Sequence, residues 1–340
     1  MYSTIDLHSH STISDGILPA AELVTHAASH GVKILALTDH DDTRGLAIAR
    51  ATAEPLGLQI INGVEISVTW KRRTIHIVGL KIDPEYAPLK DGLEAIRLGR
   101  HTRAEHMAVS LSKAGIHGSL EGAYQFAKEG IISRTHFARF LVEKGYAKDT
   151  KSVFKKYLVK GKPGFHEHEW ASLEQAVSWI KDSGGIPVIA HPGRYELGRT
   201  NMLLLIEEFR ALGGKALEVV TGSHTPPMYQ EYAKYAKMFG LLASQGSDYH
   251  GKGSSYMEMG YLPALPAGCI PVWHDWPEAK ALIDNGLSPV DEMTLKASFG
   301  VVANQANTAS STENNSSSLS SNILEKTIKK LESFNWRNTL

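Results

Sequence analysis

Short apolar segments alternate with amphipathic ones through most of the chain. The segments TIDLH, KILALTDH, GIPVIAHP, ALEVV and LLASQGSDYH have the length and composition of buried strands. Two longer apolar segments, LQIINGVEISVTW and RTIHIVGL, are joined by a basic turn at 71–73. LPAAELVTHAASHG has helical spacing, with Pro19 near its first turn and Gly31 just past its end. This alternation predicts a largely parallel sheet, either covered by helices on both faces or closed into a barrel.

The middle of the chain has a different pattern. Residues 97–162 show helical spacing without a convincing strand, and they contain fourteen Lys and Arg against five Asp and Glu, a formal charge of +9. Since the whole chain has a formal charge of +0, the remainder carries −9. We predict a basic helical insertion beside a more acidic α/β body, the alternative being a solvated helical face with accidental charge. The predicted parts are a first barrel part at 1–96, the insertion at 97–162 and a second barrel part at 163–300.

The last part of the chain, 301–340, has few apolar side chains that could be buried in a core. Residues 303–322 are rich in Ser, Asn and Thr, which predicts a disordered linker. Leu324, Ile328 and Leu331 follow at helical spacing, which indicates a short amphipathic segment.

Composition narrows the class of protein. The 340 residues include 36 basic and 36 acidic side chains, so there is no global attraction to nucleic acid or membrane. The single cysteine, Cys269, cannot form an internal disulfide, which favours a cytoplasmic location. The chain shows no signal-peptide pattern and no apolar run long enough to cross a bilayer. We therefore expect no membrane association, and no obligate protein partner is evident.

Candidate metal ligands recur near the ends of the predicted strands. His8 and His10 are two residues apart, so in an extended strand their side chains point to the same face. Parallel α/β barrels place their active sites where the strands end, on the loops that follow. Glu65 is the exception, because it lies inside its apolar run. The candidate ligands are His8, His10, Asp15, His40, Glu65, His76, His191, Asp248 and His250.

Nine candidate ligands exceed the three or four protein ligands of a single zinc-type site. They fit two or three divalent ions, with a carboxylate such as Glu65 bridging. Close pairs of metal ions are typical of phosphoester hydrolysis, because they generate hydroxide at neutral pH and neutralise the phosphoryl transition state. Each signal alone has a structural alternative, such as a helix cap or a turn. Together they predict a metal-dependent phosphoesterase.

The motifs DLHSHSTISDG, ALTDHDD, GVEIS, HIVG, AHPGR and GSDYHG, in this order, resemble those of the PHP (polymerase and histidinol phosphatase) family. The resemblance covers the chain from residue 1 to about 295. It implies a distorted seven-stranded β/α barrel with a three-metal site on one face. It also implies manganese, zinc or iron as the metal, and we expect manganese.

Carried onto the matching positions, the resemblance assigns the ligands to three ions. His8, His10, Glu65 and Asp248 would hold the first ion. Asp15, His40 and His250 would hold the second. Glu65, His76 and His191 would hold the third, with Glu65 bridging.

Within the family, ISRTHFARFLV and GKPGFHEHEW resemble the branch of nucleoside 3',5'-bisphosphate phosphatases and RNase AM-type 5'-to-3' exoribonucleases. This resemblance implies removal of the 3'-phosphate from nucleotides such as pAp, or trimming of short 5'-phosphorylated RNA. The alternatives are a histidinol-phosphate or other sugar-phosphate phosphatase, and a non-catalytic metal-binding scaffold.

Substrate contacts are expected from the insertion and from the AHPGR loop. Arg134 lies at a predicted helix start and Arg194 follows His191 by three residues, so both arginines are candidates for binding phosphate. His136 is a further candidate. Asp39 is either the general acid or a carboxylate that orients its neighbour His40.

Overall fold

The computed structural model describes residues 2–128 and 130–284. The predicted linker and the segment containing Leu324, Ile328 and Leu331 lie outside these residues. The described residues form one mixed sheet surrounded by helices, with a helical region on one side.

The sheet has seven strands in one path and an eighth that pairs only with β3. Strands β1, β2 and β3 are parallel, and β6, β7 and β8 are parallel. Strand β4 joins the two groups and is antiparallel to both of its neighbours. The strands are β1 Ile5–Asp6, β2 Ile34–Leu37, β3 Gln59–Trp70, β4 Arg73–Leu80, β5 Ala171–Ser172, β6 Ile186–Ile189, β7 Ala216–Thr221 and β8 Leu242–Gly246.

The first and last strands come together and nearly close the barrel. The Leu7 amide donates to the Gln245 carbonyl at 3.1 Å, and the Asp248 amide donates to the His8 carbonyl at 2.9 Å. Every residue of β2 and β7 is buried, because helices cover the outer face of the sheet and side chains fill the interior. The β1–β8 junction therefore places the loop after β1 against the loop after β8.

Most helices follow the strands, as the alternating pattern predicts. In α1, the buried positions are Ala20, Leu23, Val24 and Ala27, which lie on one face of the helix. The helices are α1 Ala20–Ser29, α2 Leu46–Ala53, α3 Ala87–Lys113, α4 Ser119–Ala127, α5 Arg134–Glu143, α6 Thr150–Val153, α7 Leu173–Asp182, α8 Arg199–Ala211, α9 Pro226–Phe239 and α10 Pro277–Asp284.

The helical region has a small core of its own. The first half of α3 packs on the barrel core through residues such as Leu93 and Ile96, and its second half joins a separate cluster that includes Met107 and Phe137. The long helix therefore connects both cores. Its Arg100 side chain donates to the buried carboxylate of Asp41, just beyond β2, with Nε at 2.9 Å from Oδ2.

Among the described residues, no helix is both long and apolar enough to cross a bilayer.

Candidate active site

The candidate ligands meet at one end of the barrel. His8 and His10 follow β1, His40 follows β2, and His191 follows β6. His76 lies in the first half of β4, and because β4 is antiparallel, that half lies beside the ends of the parallel strands. The remaining ligands are Asp15, Glu65, Asp248 and His250.

Glu65 reaches this end because β3 is longer than its neighbour β2. Beyond the end of β2, the Glu65 amide donates to the Asp39 carbonyl at 3.2 Å and the Asp41 amide donates to the Glu65 carbonyl at 3.0 Å. These bonds continue the parallel ladder and bring His40 beside Glu65. An acidic residue inside a buried strand is therefore held at the centre of the site, with 0% of its surface exposed.

Five imidazoles surround the Glu65 carboxylate. Oε1 lies 2.8 Å from His76 Nδ1 and 2.7 Å from His191 Nε2. Oε2 lies 3.2 Å from Nε2 of both His8 and His10, and 3.0 Å from His40 Nδ1. The two oxygens of this carboxylate therefore face different imidazoles. A carboxylate that bridges two metal ions would need this arrangement.

Two further carboxylates complete the arrangement. Asp15 Oδ1 lies 3.1 Å from His250 Nε2 and 3.8 Å from His40 Nε2. Asp248 Oδ1 lies 3.6 Å from His8 Nε2 and 3.4 Å from His10 Nε2. In each resulting group, the ligand atoms lie within 4.8 Å of one another, and the groups share members. The groups differ in part from the assignment by resemblance. His191 lies with His8 and Glu65, and His76 lies with His40 and Glu65.

These residues fit divalent metal ions. Asp15 Oδ1, Glu65 Oε2 and Asp248 Oδ1 are buried and have no hydrogen-bond partner. Nε2 of His8 and Nε2 of His10 are 3.1 Å apart, although neutral rings that both direct lone pairs to the same place repel each other. A cation among them satisfies the oxygens and the ring nitrogens together. The donor set therefore supports divalent metal binding.

The charges of the site shift the pKa of its members in opposite directions. Burial alone would raise the pKa of Glu65, but the surrounding histidines, His40 first, hold it well below its ordinary value. Burial would lower the pKa of His10, but the nearby carboxylates of Asp248 and Glu65 raise it to about 9. Burial lowers the pKa of His191 to about 3. Metal ligation requires neutral imidazoles, so metal binding at these histidines is expected to weaken as the pH falls.

Glu218 is a functional candidate that the sequence analysis missed. It lies inside β7, in ALEVV, and is 1% exposed. Its Oε1 accepts from His8 Nδ1 at 2.7 Å, and its Oε2 accepts from the His191 amide at 2.5 Å. The first contact fixes the proton of His8 on Nδ1 and leaves Nε2 free to bind a metal. The available signal was a lone acidic residue in an apolar strand, the same as for Glu65.

We expect Glu218→Gln to lower metal affinity or activity by about 10- to 100-fold, the usual cost of losing an outer partner of a metal ligand. Glutamine keeps the shape but has one acceptor oxygen for two N–H donors. The measurement is activity as a function of added Mn²⁺. Glu207→Gln is the control, since Glu207 accepts from Arg210 within α8. An unchanged metal dependence would remove this role from Glu218.

Asp39 contacts two serines. Its Oδ1 accepts from the Ser11 amide at 2.8 Å and the Ser14 hydroxyl at 2.6 Å, and its Oδ2 accepts from the Ser11 hydroxyl at 2.7 Å. Ser14 in turn lies 3.4 Å from Nδ1 of His10. These contacts favour a positioning role through the loop after β1, and no direct contact between Asp39 and the His40 ring is seen among the described residues.

The three predicted substrate contacts have different surroundings. Arg194 Nη1 donates to Asp248 Oδ2 at 2.6 Å, and 45% of the Arg194 side chain is exposed. Arg134 is the first residue of α5, which is capped by the Ser133 hydroxyl. His136 is buried, and its Nδ1 accepts from the Ser133 amide at 3.1 Å, which gives it a capping role. The roles of Arg134, Arg194 and His136 in substrate binding stay predictions.

Comparison with known proteins agrees with this geometry. The PHP domain family matches residues 6–186. A 3',5'-nucleoside bisphosphate phosphatase of Chromobacterium violaceum is 50% identical over 274 residues, 80% of this chain and 96% of the relative. The 5'-3' exoribonuclease Rnm of Escherichia coli is 44% identical over 273 residues, 80% of this chain and 93% of the relative.

A solved structure has the same fold. An amidohydrolase from Chromobacterium violaceum with bound sulfate and no metal has a TM-score of 0.78 and 50% identity, covering 80% of this chain and 95% of that one. The predicted barrel and the prediction of a phosphoric ester hydrolase are confirmed. The chain belongs to the PHP domain family.

Proposed function

We propose that this protein hydrolyses the 3'-phosphate of nucleoside 3',5'-bisphosphates such as pAp, and trims 5'-phosphorylated RNA from its 5' end. The names of the two relatives support both activities. The two substrates carry their phosphates in the same arrangement. Each has a phosphate to be hydrolysed on the 3' side of a nucleoside and a second phosphate on the 5' side of the same nucleoside. The expected cytoplasmic location stays a prediction.

The observation that carries this proposal is a pair of arginines without acidic partners beside the candidate metal centre. Arg103 is 8% exposed and Arg134 is half-buried, and among the described residues neither forms a salt bridge with a carboxylate. Burial, together with the positive charges of Arg134 and Arg100, lowers the pKa of Arg103 to about 9. Buried cations that repel each other favour a bound anion, and arginine matches phosphate geometry.

Arg134 also connects the arginine pair to the metal centre. The residues on either side of it, Ser133 and Thr135, both donate hydroxyl hydrogen bonds to Asp15 Oδ2, at 3.2 and 2.9 Å. Its guanidinium lies over the Phe154 ring at 5.6 Å, and it is near enough to Asp15 and Arg194 for their charges to act on its pKa. A phosphate held by Arg134 would therefore lie close to a substrate phosphate held at the centre.

A cleft of about 440 Å³ extends from the arginines and can receive the rest of the nucleotide. Arg103 stacks over the Trp170 ring at 5.2 Å, and His168 packs edge-on against the same ring at 4.3 Å. Phosphate contacts carry no sequence information, so we expect the identity of the base to matter little. The cleft wall also includes the basic residues Arg72, Arg73 and Lys160 and the acidic residues Glu167 and Glu169. Glu167 lies 3.5 Å from Arg72 and 3.8 Å from Lys160.

The chemistry divides between the metal centre and the arginines. Divalent ions held by the nine candidate ligands would supply a nucleophile from water at neutral pH and would stabilise charge on the phosphoryl group. The protein holds the second phosphate and so orients the scissile ester in line with the attacking water, which can supply much of a phosphoryl-transfer rate. Glu218 and Asp39 keep the ligand-bearing loops in place for this geometry.

The test is a substrate panel. We expect kcat/KM for pAp to exceed that for 3'-AMP or 5'-AMP, since only pAp presents both phosphates. We also expect 5'-phosphorylated RNA to be shortened from its 5' end, and the same RNA with a 5'-hydroxyl to be a poorer substrate. A preference for histidinol phosphate, or no advantage from the second phosphate, would contradict the proposal and leave a general phosphoesterase.

We propose manganese as the working metal, with zinc and iron as alternatives. The site combines carboxylates, which suit manganese, with imidazoles, which also suit zinc and iron. After chelation we expect activity to be lost, and Mn²⁺ to restore more of it than Zn²⁺ or Fe²⁺ at equal free concentration. If another ion restores more, the assignment of manganese is wrong. If no ion restores activity to folded protein, metal dependence itself is contradicted.

A further inference from the structure

A second group of metal-binding side chains lies outside the candidate active site. His26 and His30 are four residues apart at the end of α1, so they lie on one face of the helix. Their ring centroids are 4.2 Å apart. Histidines at this spacing on a helix are a known way of presenting two ligands to zinc.

Glu258, in the segment that follows β8, adds a carboxylate to this pair. Its Oε1 lies 2.8 Å from His26 Nε2, and one ligand atom from each of the three residues falls within 4.8 Å of the others. The side chains of His26 and Glu258 are 27% and 33% exposed, so the group is open to solvent on one side. Two imidazoles, a carboxylate and water make a zinc-type donor set.

Surrounding contacts orient each member of the group. His30 Nδ1 donates to the His26 carbonyl at 2.9 Å, which leaves Nε2 as the lone-pair nitrogen. Glu258 Oε1 accepts from the Met259 amide at 3.0 Å, and Glu258 also contacts the Tyr249 hydroxyl. The Tyr249 ring stacks on His26, with centroids 5.2 Å apart. Outer contacts of this kind are typical of metal sites.

We propose that His26, His30 and Glu258 bind a zinc ion that fastens α1 to residues 251–262. The two segments already touch, because a Cβ at Gly260, where φ is +77°, would lie 2.1 Å from the His30 carbonyl oxygen. The ion would use none of the nine candidate active-site ligands. It would stabilise residues 251–262, which directly follow the candidate ligands Asp248 and His250. Tyr249, which stacks on His26, lies between these two ligands in the sequence.

A simple ion pair accounts for only part of this geometry. An ion pair between His26 and Glu258 explains the 2.8 Å contact, but it does not use Nε2 of His30, whose Nδ1 donates to the His26 carbonyl. The two rings are tilted by 43° with centroids 4.2 Å apart, so two positively charged rings here would repel each other. A divalent ion holds both rings in their neutral form and balances the carboxylate.

Counting bound zinc tests the proposal. The full-length protein and its His30→Gln, Glu258→Gln and double variants are dialysed against low-micromolar Zn²⁺, and zinc per chain is measured by elemental analysis. Each single variant should bind one equivalent less than the unchanged protein. The double variant should also lose only one equivalent, since both residues ligate the same ion. His117→Gln is the matched control, because His117 is an exposed histidine that contacts Ser112.

Thermal unfolding provides a second readout that does not depend on activity. Zinc should raise the unfolding temperature of the His117→Gln control more than that of His30→Gln or Glu258→Gln, because only the control has all three ligands. Equal zinc content in all variants would overturn the proposal. So would a loss of two equivalents in the double variant, or half-saturation of this site only above about 1 mM zinc.

Discussion

Glu65→Gln is expected to reduce kcat by more than about 100-fold, the upper end of what losing an outer partner of a metal ligand costs. Five imidazole nitrogens approach the two Glu65 oxygens at 2.7–3.2 Å. Glutamine fills the same space but removes the negative charge and replaces one oxygen with an N–H₂ group, which cannot ligate a metal. The measurement combines kcat on pAp with the number of metal equivalents bound.

The control for this variant is Glu85→Gln, which neutralises a carboxylate that is 78% exposed and pairs with Lys90. It should keep full activity and metal content. Far-UV circular dichroism should show that both variants are folded, so that a loss of kcat is assigned to the site. Full activity of Glu65→Gln with unchanged metal content would contradict the bridging role of this carboxylate.

The gathering of the candidate ligands at one end of the barrel could be predicted from the sequence, because its signal is local. Polar side chains that end an apolar strand, such as His8 and His191, are conspicuous in a buried segment. The parallel topology then brings them to one end of the barrel. The strand pattern likewise predicts the α/β class, although it does not show that β4 runs antiparallel to its neighbours.

Contacts between distant segments are what the sequence does not reveal. Arg100 and Asp41 are 59 residues apart, and nothing local indicates that they pair. The sequence predicts that His136 contacts substrate, but a residue three positions after Ser133 is also placed to complete a capping box, and the structure shows that contact. Substrate contact and helix capping fit the same local sequence pattern, and burial of the His136 ring favours capping.

Arg134→Ala is expected to lower kcat/KM for pAp by about 10- to 100-fold, the effect of losing one charge-assisted contact worth about 1.5–3 kcal/mol. The same change should leave kcat/KM for 3'-AMP nearly unchanged, because 3'-AMP has no 5'-phosphate for the arginine to hold. Lys144→Ala is the control, since Lys144 caps the other end of α5 and its side chain is 53% exposed.

The comparison of the two substrates decides which phosphate Arg134 binds. An equal loss on pAp and 3'-AMP would place Arg134 on the scissile phosphate and contradict the two-phosphate arrangement. Arg134→Lys adds a geometric test, since lysine keeps the charge but lacks the planar fork that holds two phosphate oxygens. It should recover only part of the preference for pAp. Full recovery by lysine would mean that charge alone, without bidentate geometry, accounts for the contribution of Arg134.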